Sequence, residues 1–370
     1  MRARLTVIAV VLGLSVSASA GEGEIALIHA GDLHGYLVGR PNLRSDGKGR
    51  VEGGLARLAT KIAEARRRNP SHLLLLTGDA IQGSAEAMFT RGQAVIDVIN
   101  PLGIDAYAPG NWEFVYGTER FLELFAGANA KAPWNTIAAN VYYTTQAEDA
   151  TTPYAAKGGQ RAMPAYVVKQ VGGFKVGIMG FTTDRGPQVV GRTVTKGLRF
   201  TKGDAEVAEL LPVLRDVEKV DLILMLSELG AANNIRLAEA NPGIHVIFSS
   251  DMHEKTAKPI VTKTGTLVIE EGQDGQQLGE LALKVKDGRV ESWRWTGHAI
   301  TEDVPEDAAT AGRVKQARKS FLSGPDFAEH TNPFNGSKLR RPLDTVVGFT
   351  TVPLHRSNFS HEDMPAVIEG

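Results

Sequence analysis

The sequence has 370 residues, of which 42% are hydrophobic and 22% are charged. This length allows one large domain or two ordinary ones, and these fractions are typical of a globular protein with a sizeable core. The formal net charge is −1 and the charges are interspersed, so neither a nucleic-acid polymer nor a membrane surface is predicted as a partner. The absence of cysteine excludes disulfides, thiol nucleophiles, cysteine-bound zinc and attachment as a lipoprotein.

The first twenty residues differ from the rest of the chain. Arg2 and Arg4 precede an apolar stretch over residues 5–16, and small residues at 18–20 offer a cleavage site. This pattern is typical of a secretory signal peptide and is too short for a membrane span; an N-terminal anchor is the alternative. We therefore expect residues 1–20 to be removed, and a soluble periplasmic or secreted protein to begin near Gly21.

Downstream, apolar runs alternate with amphipathic segments, which predicts a layered α/β fold. Strands are predicted at 25–30, 73–77, 104–108, 136–141, 221–226 and 244–248. Helices are predicted at 51–68, 93–102, 118–126, 204–220, 232–240 and 306–321. Residues 165–181 are expected to form a hairpin, and residues 259–299 an antiparallel sheet.

Five of the predicted strands are each followed by polar residues that can bind metals. These residues are Asp32 and His34, Asp79, Asn111, Glu228, and Asp251 with His253. Ligands of open α/β sheets bind beyond the carboxyl ends of the strands, and carboxylate, amide oxygen and imidazole groups suit hard and borderline divalent metals. Each short motif alone is more often a turn or a helix cap. The ordered set of five predicts a site for two metal ions that activate water for in-line attack.

The same residues carry a family resemblance. The segments are Asp32-Leu33-His34-Gly35, Gly78-Asp79, Gly110-Asn111-Trp112-Glu113-Phe114, Ser227-Glu228-Leu229-Gly230 and Ser250-Asp251-Met252-His253. In this order they resemble the calcineurin-like metallophosphoesterases, and within them the secreted 5′-nucleotidases and the Sox-type thiosulfohydrolases, over residues 24–299. The resemblance implies a four-layer αββα sandwich and a dinuclear centre of manganese, zinc or iron.

The resemblance also implies a role for each matching residue. Asp32, His34, Asp79 and His253 would hold the first metal, and Asp79 would bridge to the second. Asn111, Glu228 and Asp251 would complete the second site. Asn111 and Asp79 would thus act in catalysis, Asn111 by orienting the substrate or a metal. Residues 21–345 would form the catalytic domain, and residues 346–370 a linker and the start of a missing C-terminal domain that recognises nucleotides.

Three positions depart from the family pattern. Trp112 stands where the family has a histidine that assists the leaving group, and Glu228 and Asp251 replace imidazoles. With Asp32 and Asp79 these make four carboxylates against two divalent cations, a formally neutral centre with weakened attraction for a phosphate dianion. The oxygen-rich set favours manganese or magnesium over zinc. Without a proton donor at Trp112, a thiolate leaving group, with a thiol pKa near ~8.5, is favoured over an alkoxide.

These observations predict an exported hydrolase of phosphate esters or thiosulfate-type esters with two divalent ions. Manganese is the expected metal, and magnesium, iron or zinc are the alternatives. A second interpretation is a catalytically weakened periplasmic binding protein on a degenerate metallophosphoesterase scaffold, which metal content would distinguish. A third is an intact catalytic fold without substrate recognition. His29 is interpreted as a core residue or as a residue that supports the ligands. Arg185 is interpreted as a surface turn residue, with contact to a substrate oxyanion as its alternative.

Overall fold

A computed structural model describes residues 22–42 and 49–351. The predicted signal peptide at residues 1–20, and residues 352–370 of the predicted linker, lie outside the described residues. Among the residues that are described, no helix combines the length and the apolar character that crossing a membrane requires.

The described chain alternates strands and helices along most of its length. The strands are β1 Gly23–Gly31, β2 Arg40–Asn42, β3 Arg50–Glu52, β4 His72–Thr77, β5 Ala106–Ala108, β6 Val141–Tyr143, β7 Tyr166–Val171, β8 Phe174–Phe181, β9 Leu198–Phe200, β10 Leu222–Ser227, β11 Val246–Ser249, β12 Ile260–Val261, β13 Leu267–Ile269, β14 Gln277–Lys286, β15 Arg289–Ala299, β16 His330–Thr331 and β17 Lys338–Leu339. The α-helices are α1 Leu55–Arg68, α2 Ala85–Phe89, α3 Gln93–Ile99, α4 Thr118–Phe125, α5 Gly186–Val189, α6 Asp204–Pro212, α7 Ala231–Ala240 and α8 Ala308–Arg318.

Two sheets organise the described residues. The first has the order β15-β14-β1-β4-β5, and the second has the order β12-β13-β11-β10-β8-β7. In the first sheet β1, β4 and β5 are parallel, and in the second β8, β10, β11 and β13 are parallel. Parallel neighbours need crossover connections that usually contain a helix, so the helices cover the outer faces. The carboxyl ends of the parallel strands gather at one edge of each sheet.

Apolar residues on both faces of the strands produce four layers. Ile25 and Leu27 of β1 belong to a buried cluster with Leu224 and Leu226 of β10, so the two sheets pack face to face. Ile28 of β1 points the other way and packs with residues of α1 and α3. On the far side, alternate residues of β10 pack against α6 and α7. The order helix, sheet, sheet, helix confirms the predicted αββα sandwich.

Most predicted elements lie within a few residues of the observed ones, but four segments differ. The helix expected at 51–68 begins only at Leu55, because Gly53 and Gly54 adopt positive φ angles of 77° and 96° and residues 50–52 form β3. The strand expected at 136–141 is wrong: Thr136 makes one isolated bridge and the strand β6 is Val141–Tyr143.

The segment 259–299 is antiparallel only in part. Strands β14 and β15 form the predicted hairpin, but β13 pairs in parallel with β11 in the second sheet while β14 pairs with β1 in the first. The helix expected at 204–220 ends as an α-helix at Pro212 and continues over Val213–Val217 as a π-helix. Proline lacks the N–H that a regular helical ladder needs, which explains the change of pitch.

Candidate metal centre

The loops that follow the strands are tied together by backbone hydrogen bonds that extend the parallel ladders. The N–H of Asp32 donates to the carbonyl of Thr77 over 3.0 Å, and the N–H of Ser250 donates to the carbonyl of Ser227 over 3.0 Å. Buried backbone groups at the end of a sheet must find partners. The loops are therefore fixed by the same interactions as the strands, and their side chains converge at one edge of the sandwich.

Both Asp-x-His segments share an unusual backbone. Asp32 and His34 have φ angles of 46° and 50°, and Asp251 and His253 have φ angles of 93° and 59°. Non-glycine residues rarely adopt positive φ. Such conformations concentrate at functional sites, where the surrounding structure holds them against their cost. One such pair follows β1 in the first sheet and the other follows β11 in the second.

Five of the predicted ligands form two groups that share Asp32. In the first group Asp32, His34 and His253 each place a ligand atom within 4.8 Å of the others. In the second group Asp32, Asp79 and Glu228 do the same. The Nε2 atoms of His34 and His253 are 3.0 Å apart, with the two rings nearly perpendicular at 86°. The membership of Asp32 in both groups makes it a second candidate, beside Asp79, for a bridging carboxylate.

Asn111 lies beside the second group. Its Nδ2 donates to Oδ2 of Asp79 over 3.3 Å, which turns the amide oxygen Oδ1 away from that carboxylate. The backbone N–H of Trp112 donates to Oδ1 of Asp79 over 2.7 Å. The loop after β5 therefore fixes the orientation of the Asp79 carboxylate, and Trp112 contributes its backbone to the site.

Several buried acceptors in this region lack a donor. The atoms Oδ1 of Asp32, Oδ1 of Asn111 and Oε1 of Glu228 are fully buried and have no hydrogen-bond partner within the described part of the chain. A buried polar atom without a partner costs roughly 1–3 kcal/mol. A divalent cation accepts carboxylate and amide oxygen ligands, so the donor set fits a metal centre on both its chemistry and its unsatisfied atoms.

The charges of the site also favour a cation. Burial raises the pKa of Asp32, Asp79 and Glu228 well above the usual carboxyl range, and repulsion from neighbouring carboxylates adds to the effect. Burial, together with the neighbouring His253, lowers the pKa of His34 to about 3. His34 is therefore a neutral imidazole at physiological pH, which is the form that binds metals.

Asp251 lies at the rim and outside both groups. Its backbone N–H donates to Oδ2 of Asp32 over 3.2 Å, while its carboxylate Oδ2 accepts a hydrogen bond of 2.5 Å from Nη2 of Arg185. Its role as a metal ligand stays a prediction. The sequence pattern favoured a plain surface turn for Arg185, and the structure instead directs this side chain to a residue of the site.

Glu113 has a role that its sequence context did not reveal. It is fully buried, and its Oε1 accepts hydrogen bonds from the N–H groups of Ala80 (2.7 Å) and Ile81 (3.2 Å). Its Oε2 accepts from the N–H of Gly110 over 2.7 Å. One carboxylate thus joins the loop that carries Asp79 to the loop that carries Asn111. In the sequence Glu113 is one residue of the segment 110–114, and an acidic residue beside Asn111 is the signal for this role.

Replacing Glu113 by Gln should separate these two loops. The amide keeps one oxygen acceptor and turns an NH2 group towards an N–H, so at least one buried donor loses its partner. We expect the free energy of unfolding to fall by about 1–3 kcal/mol and manganese affinity to fall by about 10- to 100-fold. Urea unfolding with chelator and manganese titration measure the two effects. The exposed Glu119, changed to Gln, is the control; equal affinities for both variants would contradict this role.

Gly110 allows the two sheets to approach each other at the site. A Cβ atom there would lie 2.2 Å from Oδ1 of Asp79 and 2.6 Å from Oε1 of Glu228. We expect Gly110→Ala to cost about 1–3 kcal/mol of stability through overpacking and to displace both carboxylates. Metal content after dialysis against manganese measures the displacement. Gly312→Ala, where a Cβ meets no atom within 4 Å, should retain full metal content.

His29 lies behind the strand ends and not in the site. It is fully buried, its Nε2 bonds to Oγ1 of Thr77 over 2.8 Å, and its Nδ1 pairs with Glu271. Its ring stacks on Phe248 with centroids 4.3 Å apart. These contacts confirm its interpretation as a core residue, one that supports the strands from which the ligand loops emerge.

Comparison with known sequences identifies the family of this chain. The sequence model of the family described as calcineurin-like phosphoesterase matches residues 25–255, which is more than half of the chain and includes all seven predicted ligands. Human 5′-nucleotidase is 34% identical over 329 residues, which cover 83% of this chain and 54% of that protein. The chain therefore spans about half the length of this relative.

Solved structures share the fold. The sulfate thiohydrolase SoxB of Thermus thermophilus, in complex with glycerol, has a TM-score of 0.70 at 21% identity, covering 81% of this chain and 62% of that one. A 5′-nucleotidase precursor, also from Thermus thermophilus, has a TM-score of 0.67 at 23% identity, covering 80% of this chain and 58% of that one. At these identities the likeness shows the fold alone.

Proposed function

Because the chain belongs to the calcineurin-like phosphoesterase family, we propose that it is a hydrolase of small-molecule phosphate or thiosulfate-type esters that works with two divalent metal ions. The observation that carries the proposal is the pair of ligand groups sharing Asp32, together with the unsatisfied buried oxygens of Asp32, Asn111 and Glu228. A binding protein without metal would carry these buried acceptors at a cost in stability.

The seven predicted ligands divide between two ions. Asp32, His34 and His253 would hold one ion, and Asp79, Asn111 and Glu228 the other, with Asp79 or Asp32 bridging and Asp251 at the rim. When bound, such ions lower the pKa of water and stabilise the charge that develops on the transferred group. The oxygen-rich ligand set supports manganese, with magnesium, iron or zinc as alternatives.

The side chains around the ions define what the chain itself contributes. Asn111, held by its bond to Asp79, is placed to orient a substrate oxygen or an ion. Trp112 has an indole N–H that does not transfer protons, so it cannot protonate a leaving group. This feature supports an ester with a stable leaving group, such as a thiolate or a phenolate, over a nucleoside alkoxide.

Metal content and hydrolysis of two esters test the proposal. The protein is purified without chelator, loaded with manganese, and assayed with p-nitrophenyl phosphate and with AMP. We expect about two ions per chain, hydrolysis that requires manganese, and faster turnover of the phenolic ester. A chain that takes up no metal would instead support a binding protein on the same scaffold.

We also propose that the protein is exported. Residues 1–20, with two arginines before an apolar stretch and a small-residue cleavage site, support this location. Expression of the full chain with separation of periplasmic and cytoplasmic fractions tests it. The expected mature N-terminus is Gly21, and a product retaining Met1 in the cytoplasmic fraction would contradict export.

A further inference from the structure

Arg185 is placed at the metal centre by its backbone and by one carboxylate. It follows β8, and its N–H donates to Oγ1 of Thr183 over 3.0 Å. Its carbonyl accepts the N–H groups of Gln188 and Val189, the last two residues of α5. The main chain is thus held on both sides, and its Nη2 reaches Asp251 over 2.5 Å. The side chain therefore has a defined position at the rim.

Arg185 is also accessible. Half of its side-chain surface, 51%, is exposed, whereas the side chain of Asp251 is only 7% exposed. A guanidinium carries five donors in a rigid plane. Its Nη2 pairs with Asp251 and its Nε lies 3.9 Å from Oδ1 of Asp184, so Nη1 remains for a ligand. An anion that enters the centre from solvent meets this guanidinium at the rim.

The charge of the metal centre explains why a positively charged side chain is needed at the rim to attract an anionic substrate. Two divalent ions against Asp32, Asp79, Glu228 and Asp251 give a formal charge of zero, which leaves little attraction for an anion. Arg185 beside Asp251 adds one positive charge at the rim, and Asp184, whose Oδ1 lies 3.9 Å from Nε of Arg185, offsets part of it. Arg40 also lies near His34. Its guanidinium, however, pairs with Asp274 over 2.6 Å and lies 3.2 Å above the centre of the Tyr36 ring, so these two contacts already occupy it.

From this placement, and resting on the proposed function, we infer that Arg185 is a substrate-binding residue that recognises the tetrahedral oxyanion of the ester, with Asp251 as its anchor. Guanidinium groups bind phosphoryl and sulfonyl oxygens through two parallel N–H donors. The residue restores to the loaded centre the positive charge that the fourth carboxylate removes. Phosphate esters and thiosulfate-type esters both present such an oxyanion. Comparing the binding of inorganic phosphate with that of sulfate and thiosulfate distinguishes the two ester classes.

The test uses the manganese-loaded mature protein and three variants. Arg185→Ala removes the guanidinium, and Arg185→Lys keeps the charge without the planar donors. Arg192→Ala changes another exposed arginine of the same connection and is the matched control. Metal per chain, thermal unfolding, calorimetric affinity for each anion, and KM and kcat for p-nitrophenyl phosphate are measured for all four proteins.

We expect Arg185→Ala to weaken binding of the preferred anion and to raise KM by about 10- to 100-fold, the size of a lost charged hydrogen bond. Metal content and thermal unfolding should match those of the wild type. Arg185→Lys should be intermediate, and Arg192→Ala should equal the wild type.

Two results would overturn the inference while leaving the proposed function standing. One is an Arg185→Ala protein that binds every anion within about twofold of the wild type. The other is an Arg185→Ala protein that loses metal together with anion affinity, which would make Arg185 a support for the metal ligands. A wild-type protein that takes up no metal and binds no anion would overturn both proposals.

Discussion

Replacing Asp32 by Asn should abolish metal binding while making the metal-free protein more stable. Asp32 is the residue common to both ligand groups, so its loss affects both ions. Mutation of a residue that only supports a metal ligand lowers metal affinity or activity by about 10- to 100-fold. Loss of a ligand shared by both ions should lower activity by more than about 100-fold. In the metal-free protein the Asp32 carboxyl is costly to ionise, because burial and the neighbouring Glu270 raise its pKa, and the neutral amide removes this cost.

Calorimetric titration with manganese and chemical unfolding with chelator measure the two opposite effects. The opposite signs distinguish a lost ligand from general damage, because a damaged protein would be less stable in both conditions. Asp326→Asn changes an exposed carboxylate and should alter neither quantity. An Asp32→Asn protein that retains two ions per chain would contradict the assignment of Asp32 to both groups.

The metal-free protein should lose stability as the pH rises from about 4.5 to 8, and manganese should reverse this loss. Burial raises the pKa of Glu270 from 4.5 to about 7, and burial also raises those of Asp32, Asp79 and Glu228. Between its unfolded and folded pKa values, a carboxyl group binds more protons in the folded protein. The free energy of unfolding therefore falls as these groups ionise with rising pH. Below pH 6.5 the neutral His34, whose pKa is lowered from 6.5 to about 3, acts in the opposite direction, so the fall should be steepest above pH 6.5.

For Glu270 alone this linkage is on the order of 3 kcal/mol across the window. Manganese requires deprotonated carboxylates, so the stabilisation it gives should grow over the same range. Urea unfolding at pH 5, 6, 7 and 8, with chelator or with manganese, measures both slopes. Glu270→Gln should flatten the slope measured with chelator. A metal-free protein whose stability increases steadily from pH 5 to pH 8 would show that these carboxyl groups are not buried as described.

The main strands and the gathering of most predicted ligands were predictable because the signals are local. An apolar run such as residues 73–77 followed by Gly78-Asp79 identifies both a buried strand and a ligand loop. Parallel strands bring such loops to the same edge, so the order of the motifs was enough to bring Asp32 and Glu228 together across the two sheets. The family resemblance supplied the layer order, which periodicity alone does not give.

Other features depend on contacts that a sequence does not display. The bond between Arg185 and Asp251 joins residues 66 positions apart, and neither residue type is unusual in a turn. The role of Glu113 depends on three backbone donors in two loops. The strand prediction at 136–141 was wrong because Ile137 and Ala138 are buried in a segment that makes only one isolated bridge. Such a segment has the same apolar pattern as a buried strand.

The division of the ligands between the two sheets has a consequence for when the protein acquires its metal. Asp32, His34, Asp79 and Asn111 follow strands of the first sheet, whereas Glu228, Asp251 and His253 follow strands of the second. During synthesis the first four emerge from the ribosome more than a hundred residues before Glu228. An early ion would find only half of its ligands, so the centre as proposed forms only after both sheets have folded together. For an exported chain, the ions would then be drawn from the compartment where folding ends, and metal supply there would decide which ion the enzyme carries.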